Sequence, residues 1–123
     1  MTKFTDGRHT GEFLLSEANF HRSRDKITIV AGSGIVKAGT VLGKITTGGK
    51  FKPSTNTGSD GAQTAAAINL ATVDATSEDV DVAAISRDAE VKGPVLSYDV
   101  SVDDDTKKGT KATQLAAIGI IVR

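Results

Sequence analysis

Alternation between hydrophobic and polar positions predicts that much of the chain forms short β-strands. Residues 26–31 alternate with period two, are rich in β-branched side chains and end at a glycine turn, which is the pattern of a half-buried strand. Four further stretches have the length and boundaries of strands: residues 40–46, 65–70, 80–85 and 95–100. Pro94 precedes the last stretch, which favours an edge position or a strand start there.

Three of the intervening features qualify this pattern. The alanine-rich stretch 65–70 has no period that separates strand from helix, and its short, bounded length is what favours a strand. Gly43 interrupts residues 40–46 and predicts a bulge, a sharp bend or a close approach of another backbone segment. The polar residues 54–61 predict a surface loop.

Near the end of the chain the hydrophobic spacing changes to three and four residues. Residues 107–117 are predicted to form a helix, because acidic residues 103–105 precede them and suit the positive end of the helix dipole. Gly119 can supply the left-handed residue that follows such a helix. Residues 120–123 then form a final apolar strand, which needs to pair with the domain or with a neighbouring molecule.

Composition limits the kind of protein that this chain can be. Its 123 residues suffice for one modest core, and with only 4% aromatic residues that core must be aliphatic. The absence of cysteine excludes disulfides, zinc–thiolate sites and thiol catalysis. Fifteen basic and fifteen acidic residues give no net charge, which argues against a general nucleic-acid binder.

The charge is distributed unevenly along the chain. Residues 1–60 carry 9 basic and 5 acidic side chains, whereas residues 61–123 carry 6 and 10. Such a dipolar chain can associate with copies of itself, although solvated loops that happen to differ explain the asymmetry equally well. No stretch has the length of a membrane span or the character of a secretory signal, so a soluble protein made in a cytoplasm is expected.

Glycine-rich turns give the only suggestion of nucleotide binding, and each lacks an essential feature. The turn at residues 32–34 has Lys37 where a dinucleotide-binding turn needs a third glycine, and a strand rather than a helix is predicted after it. Residues 39–44 lack one spacer of a phosphate-binding loop, and Ile45 stands where a magnesium-binding hydroxyl is required. No cofactor is predicted.

Catalytic and metal-binding constellations are equally weak. His9 and His21 are the only histidines and cannot complete a zinc site without help from carboxylates. The acidic stretches 78–81 and 103–105 lack the glycine and terminal glutamate of a calcium loop, so loop and helix-cap charges explain them. No nucleophile elbow occurs, and we predict no metal, no catalytic residue and no enzymatic activity.

A series of segments in a fixed order carries a more specific pattern: residues 12–19, 23–25, 38–45, 60–61, 65–67, 73–76, 85–91 and 114–123. Together they resemble the lambda-type bacteriophage head decoration (capsid-stabilising) protein family. The resemblance covers about residues 12–123. It departs from the family between Lys92 and Lys111, where a tryptophan-containing stretch is replaced by residues 93–98.

The resemblance implies a mainly β, small single domain of the bent-ribbon (β-clip) type at residues 13–123, with a short C-terminal helix and a flexible N-terminal arm at residues 1–12. It implies a homotrimer that binds the major capsid protein at local threefold positions outside the expanded capsid and stabilises the shell against DNA pressure. Direct contact with nucleic acid or membrane is not expected. The protein would be made in the bacterial host cytoplasm and reside on the outer surface of the virion head. The arm residues expected to contact the capsid are Phe4, Thr5, Arg8, His9, Phe13 and Leu14.

Two other kinds of protein share the same composition. Another self-assembling phage structural or surface-layer protein would also be β-rich and noncatalytic, and open filaments rather than a closed trimer would distinguish it. A surface module that binds carbohydrate or another polymer is disfavoured by the single tyrosine, Tyr98, and the absence of tryptophan.

Overall fold

A computed structural model of the chain describes residues 9–19 and 22–123. Short strands dominate, with one α-helix near the end of the chain. In chain order the elements are β1 (Leu14–Glu17), β2 (Arg24–Ile29), β3 (Gly34–Val36), β4 (Val41–Lys44), β5 (Phe51–Pro53), β6 (Ala65–Asn69), β7 (Val73–Ala75), β8 (Val80–Ile85), β9 (Ala89–Val91), a 3₁₀ helix (Gly93–Val95), α1 (Asp105–Ala116) and β10 (Ile120–Val122).

Five of the strands close into a small barrel in the order β2-β5-β4-β6-β8. The longest ladder joins β2 and β8 antiparallel, from Arg24 opposite Ile85 to Ile29 opposite Val80. A short parallel contact, Ile29 opposite Phe51, completes the ring between β2 and β5. Closure pairs the backbone groups that an open sheet edge would leave unpaired.

Two smaller sheets flank the barrel. β3 and β7 form an antiparallel pair, and β1, β9 and β10 form a three-stranded sheet with β9 in the middle. β1 runs antiparallel to β9, whereas β10 runs parallel to it. Helix α1 makes the parallel connection possible, because it returns the chain across the domain before β10 begins.

The hydrophobic side chains form two clusters that meet at the barrel wall. One cluster lies among the barrel, the three-stranded sheet and α1, and consists of Phe13, Val41, Ala65, Ile68, Leu70, Ile85, Ala89, Val91, Leu96, Leu115 and Ile120. The other joins the barrel to the β3–β7 pair, and consists of Ile27, Ile29, Val36, Leu42, Ala67, Ala75, Val82 and Ala84. Nearly all members are aliphatic, as the composition predicts.

Strand β6 contributes to both clusters, which explains its alanine-rich sequence. Ala65 and Ile68 belong to the first cluster, and Ala67 belongs to the second. A strand that is buried on both faces lacks the polar alternation of a half-exposed one. The predicted strand at residues 65–70 is therefore confirmed, and its ambiguous period reflects burial on both sides.

Gly43 lies where β4 approaches the start of β6. The register shifts between Leu42 and Gly43, and a Cβ at position 43 would lie 2.6 Å from both Cα and the carbonyl carbon of Ala62. No side chain fits in that space. The predicted bulge and close backbone approach at Gly43 are both confirmed.

The predicted C-terminal helix is confirmed, but it spans Asp105–Ala116 rather than residues 107–117. The Asp104 carboxylate accepts a hydrogen bond from the Lys107 backbone N–H at 2.8 Å and caps the helix. Gly119 follows with a φ of 85°, the left-handed conformation expected at that position. β10 pairs with β9, so the apolar end of the chain is satisfied within the domain.

The prediction of a mainly β single domain with a C-terminal helix is confirmed, and the β-clip type stays a prediction. The strands predicted around residues 26–31, 40–46 and 80–85 are confirmed as β2, β4 and β8, and residues 54–61 form the predicted loop without regular structure. The short strands β1, β3, β5, β7 and β9 were not predicted.

The predicted strand at residues 95–100 is wrong. Pro94 lies in the first turn of the 3₁₀ helix, where its fixed φ and missing N–H are tolerated. Within residues 95–100, only Ser97 forms a β-bridge, which pairs it with Thr40. The Asp99 carboxylate then accepts hydrogen bonds from the Ser101 backbone N–H and hydroxyl, which bends the chain away from an extended conformation.

We expect Gly43→Ala to destabilise the domain by about 3 kcal/mol or more, because the new methyl group overlaps the Ala62 backbone. Gly109→Ala is the matched control, since Gly109 lies exposed in α1 and its added methyl group would meet no neighbouring residue within 4 Å. That change should stabilise the protein by up to about 1 kcal/mol. Urea unfolding at one protein concentration measures both, and equal effects of the two substitutions would contradict the packing described.

Carboxylates on the outer surface of β8 and its preceding turn make stability depend on pH. A hydrogen bond from Thr28, followed by one from Lys26, lowers the pKa of Asp81. A hydrogen bond from Lys50 lowers the pKa of Asp79. Because each folded-state pKa lies below the unfolded value, the stabilisation is complete above the unfolded pKa of about 3.9 and is lost as the pH falls through the folded pKa.

The urea midpoint should therefore be nearly constant from pH 7 to 5 and fall below about pH 4. In the double variant Asp79→Asn, Asp81→Asn the fall should be shallower, because two of the responsible groups no longer titrate. An acid profile with the same slope in both proteins would show that these carboxylates do not contribute.

Candidate functional site

The predicted arm contacts fall into two groups. Phe4, Thr5 and Arg8 lie outside the described residues, so their role stays a prediction. His9, Phe13 and Leu14 are described, and they occupy three different environments: exposed, buried and half-buried.

Residues 9–12 form a turn that is held to the domain. The Glu12 N–H donates to the His9 carbonyl at 3.1 Å, and the Gly11 N–H donates to the Leu70 carbonyl at 3.0 Å. His9 is exposed, and its backbone N–H donates to the Glu12 carboxylate at 3.3 Å. The predicted arm thus includes an anchored segment next to the domain, and its flexibility over residues 1–8 stays a prediction.

Phe13 is part of the core rather than a free contact. Its side chain is 1% exposed and packs in the first hydrophobic cluster, close to Gly39. Its carbonyl accepts the Lys92 N–H at 2.7 Å, which fixes the start of β1 beside β9. In this conformation Phe13 cannot fill a pocket on another protein, and the expectation that it contacts a partner is corrected accordingly.

The β1–β9–β10 sheet presents an outer face to solvent. Ala89 and Val91 of β9 point into the core, so Glu90 between them points outward. Leu15 of β1 and Ile121 of β10 are exposed large hydrophobic residues on the two flanking strands.

Glu90 organises the polar part of this outer face. Its carboxylate accepts a 2.7 Å hydrogen bond from Arg123 Nε and a 3.1 Å hydrogen bond from the Ser16 hydroxyl. These two contacts, with Arg123 the larger contributor, lower the pKa of Glu90. The face therefore combines a tethered charge pair with two exposed aliphatic side chains, a composition suited to protein contact rather than to chemistry.

Both ends of the described domain meet at this sheet. The Phe13 carbonyl accepts a hydrogen bond from the N–H of Lys92, the residue after β9, and the Arg123 N–H donates to the Val91 carbonyl at 2.8 Å. Sequence analysis missed this face as a unit. The alternation of small apolar and acidic residues at 89–91 was the available signal, but three residues are too few to establish a period.

A second surface feature is a groove of about 620 Å³ beside β3. Ile35 and Val100 line it and are 67% and 91% exposed. Tyr98 lies in the groove with the Lys108 ammonium 5.5 Å from its ring centroid, and burial of part of the ring raises the pKa of Tyr98. Much of its lining falls within residues 92–111.

The glycine turns and acidic stretches have structural roles in the described chain. The turn at residues 32–34 leads into strand β3, whereas a dinucleotide-binding turn leads into a helix. Asp103 pairs with Lys107 at 2.7 Å next to the helix cap, which confirms the helix-cap interpretation of the acids at residues 103–105. Among residues 9–19 and 22–123, no three histidine, aspartate or glutamate side chains are grouped so that they could hold a metal ion.

A protein-family model covers nearly the whole chain. Residues 3–120 match the family model described as bacteriophage lambda head decoration protein D. The chain belongs to this family. No curated protein sequence matches the chain.

Family membership identifies a structural component of the phage virion that associates with the capsid. The decoration protein family is structural rather than enzymatic. In the part of the chain that the structure describes, no helix has the length and hydropathy needed to cross a membrane.

Substitution of Phe13 tests whether it belongs to the core of this decoration protein. Phe13→Ala should lower the free energy of unfolding by about 3–5 kcal/mol, because a buried aromatic ring is removed. Leu15→Ala, two positions along on the exposed face of the same sheet, should change it by less than about 0.5 kcal/mol. Chemical denaturation measures both values, and a Phe13→Ala protein as stable as Leu15→Ala would contradict burial of the ring.

Proposed function

We propose that the protein is a cement protein of the phage head. It binds as a homotrimer to the outside of the expanded capsid at local threefold positions, contacts the major capsid protein and stabilises the shell against the pressure of packed DNA. The observation that carries the proposal is the family match over residues 3–120.

The proposed role is mechanical and requires no chemical reaction. A trimer that bridges three capsomers resists their separation because its contacts must break together. Three attachment points on one body raise the effective concentration of each, so modest binding per arm gives slow dissociation. A neutral, noncatalytic domain with an aliphatic core has the properties that such a fastener needs.

We infer that attachment involves residues 1–8 together with the outer face of the β1–β9–β10 sheet. The anchored turn at residues 9–12 immediately precedes β1 of that sheet, on which Leu15 and Ile121 are exposed. Strand addition to a sheet edge of the capsid supplies main-chain hydrogen bonds, and Phe4 supplies the aromatic side chain for a pocket. Thr5, Arg8, His9 and Leu14 complete the proposed contact set.

The trimer contacts are proposed among the remaining exposed aliphatic positions. Ile35 and Val100 project from the groove beside β3, and the C-terminal residues 112–122 include the exposed Ala116. Burial of such side chains between protomers would remove apolar surface from water. On this proposal the protein is made in the host cytoplasm, resides on the outer surface of the head and contacts neither DNA nor membrane.

Deletion of residues 1–8 tests the attachment. The truncated protein retains the turn that begins at His9, so it should fold and keep the trimer mass in solution. It should lose saturable cosedimentation with expanded heads, since the proposed main-chain contacts are absent. Wild-type protein should bind expanded heads saturably and unexpanded heads weakly.

Two controls accompany the deletion. Phe4→Ser, which keeps the backbone, should weaken cosedimentation without abolishing it. Ile121→Ser tests, independently of residues 1–8, whether the outer face of the β1–β9–β10 sheet takes part in attachment to the capsid. A deletion variant that binds expanded heads like wild type would refute the role of the arm, and a wild-type protein that forms open filaments in solution would favour a different self-assembling structural protein.

A further inference from the structure

One lysine of α1 is buried where a surface residue is expected. Lys111 lies one helical turn before Leu115, on the same face of α1, and its side chain is 1% exposed. Lysine is almost never fully buried unless its ammonium group is paired. The surroundings of this group therefore require an explanation.

Three oxygen atoms surround the Lys111 ammonium. Nζ donates to the Ser54 hydroxyl at 2.9 Å, to the Thr55 carbonyl at 2.6 Å and to the Gln63 carbonyl at 2.6 Å. An ammonium group has three donors, and here each has an acceptor. All three acceptors are uncharged, and no carboxylate of the described residues lies within ion-pair distance of Nζ.

The three acceptors come from the two ends of one polar loop, residues 54–64. The Ser54 hydroxyl also donates to the Ala62 carbonyl at 2.7 Å, which ties the ends of the loop to each other. Three residues further along α1, the Gln114 side chain accepts the Ala65 N–H at 2.8 Å. The helix thus holds the loop through polar contacts, because the loop has almost no apolar side chain to bury.

The energetics identify the charge as the organising element. Transfer of an ammonium group from water into the protein is unfavourable, and this desolvation lowers the pKa of Lys111, with nearby Asp99 acting in the opposite direction. Conversely, the oxygens of Ser54, Thr55 and Gln63 point at one place and would repel one another without a cation between them. The buried ammonium group needs the three oxygens as acceptors, and the three oxygens need the ammonium group to offset their mutual repulsion.

We propose that the Lys111 ammonium is a built-in cation that orders loop 54–64, and that its removal leaves a site for a free primary alkylammonium ion. The site would take n-propylammonium, which has the same three carbons and nitrogen as the part of the side chain that Lys111→Ala removes. This inference goes beyond the proposed attachment to capsids and does not depend on it, since it concerns the isolated protein.

The test compares the full-length wild type with Lys111→Ala by amide hydrogen exchange. In the variant, the amides of Asn56, Gly61 and Thr64, which are hydrogen-bonded within or beside the loop, should exchange about tenfold faster or more. Titration with n-propylammonium chloride should restore their protection in a saturable way. Tetramethylammonium chloride at the same ionic strength should not, because it cannot donate a hydrogen bond.

Two variants serve as controls. Lys108→Ala removes an exposed lysine from the same helix and should leave the exchange of the loop amides unchanged in both salts. Lys111→Met fills the space without charge, so its loop should stay unprotected and should not respond to n-propylammonium. Equal effects of the two salts on Lys111→Ala, or wild-type protection of the loop in either Lys111 variant, would overturn the proposal.

A measurement on wild-type protein keeps the proposal testable if Lys111→Ala does not fold. Proton–nitrogen NMR of the lysine side chains should show a Lys111 ammonium signal that exchanges slowly with water, whereas that of Lys108 exchanges fast. A Lys111 ammonium that exchanges as fast as the exposed one would overturn the proposal, because the three hydrogen bonds would then not be maintained.

Discussion

Burial of β6 on both faces is the constraint on which the other packing depends. Its small side chains allow the barrel wall to serve two hydrophobic clusters at once. Small side chains also bring neighbouring backbones close, which is why Gly43 lies against Ala62 with no space for a methyl group. With few aromatic residues available, close approach of backbones replaces large side chains as the source of packing density.

The scarcity of large hydrophobic side chains also makes it easy to distinguish the core from the apolar surface that is available to partners. Most buried aliphatic residues belong to the two clusters, and among the described residues the exposed large hydrophobic side chains are few: Leu15, Ile35, Val100 and Ile121. Two of them lie on the sheet where both ends of the described domain meet, and two lie on the groove beside β3. The proposed role needs two kinds of contact, one with the shell and one with other copies of the chain, and these are the two groups of exposed large hydrophobic side chains that the described residues offer.

The sequence predicted the fold where a pattern extended over enough residues. β2, β8 and α1 have five or more residues with a consistent period, whereas β3, β7 and β9 have three each, too few to separate from a loop. Residues 95–100 were misassigned because their apolar content outweighed the effects of Pro94 and Asp99, which favour a turn over a strand.

Residues with unusual environments were harder to predict than secondary structure. Phe13 follows a polar segment, so its position suggested an arm, and only the tertiary contact with β9 shows that it is an anchor. The one signal for Lys111 was its four-residue spacing from Leu115, and a lysine at such a position is ordinarily assigned to the solvent. The family, in contrast, was predictable, because it depends on the order of many segments rather than on any one environment.

The first hydrophobic cluster joins Phe13 near one end of the chain to Leu115 and Ile120 near the other. A nascent chain cannot complete this cluster until α1 and β10 have emerged from the ribosome. Until then the apolar side chains of β1 and β9 stay exposed to solvent. The first hydrophobic cluster therefore forms only after both α1 and β10 have been synthesised. Slow folding, with a period of vulnerability to aggregation, is the expected consequence of pairing β9 with β1, which is so distant from it in sequence.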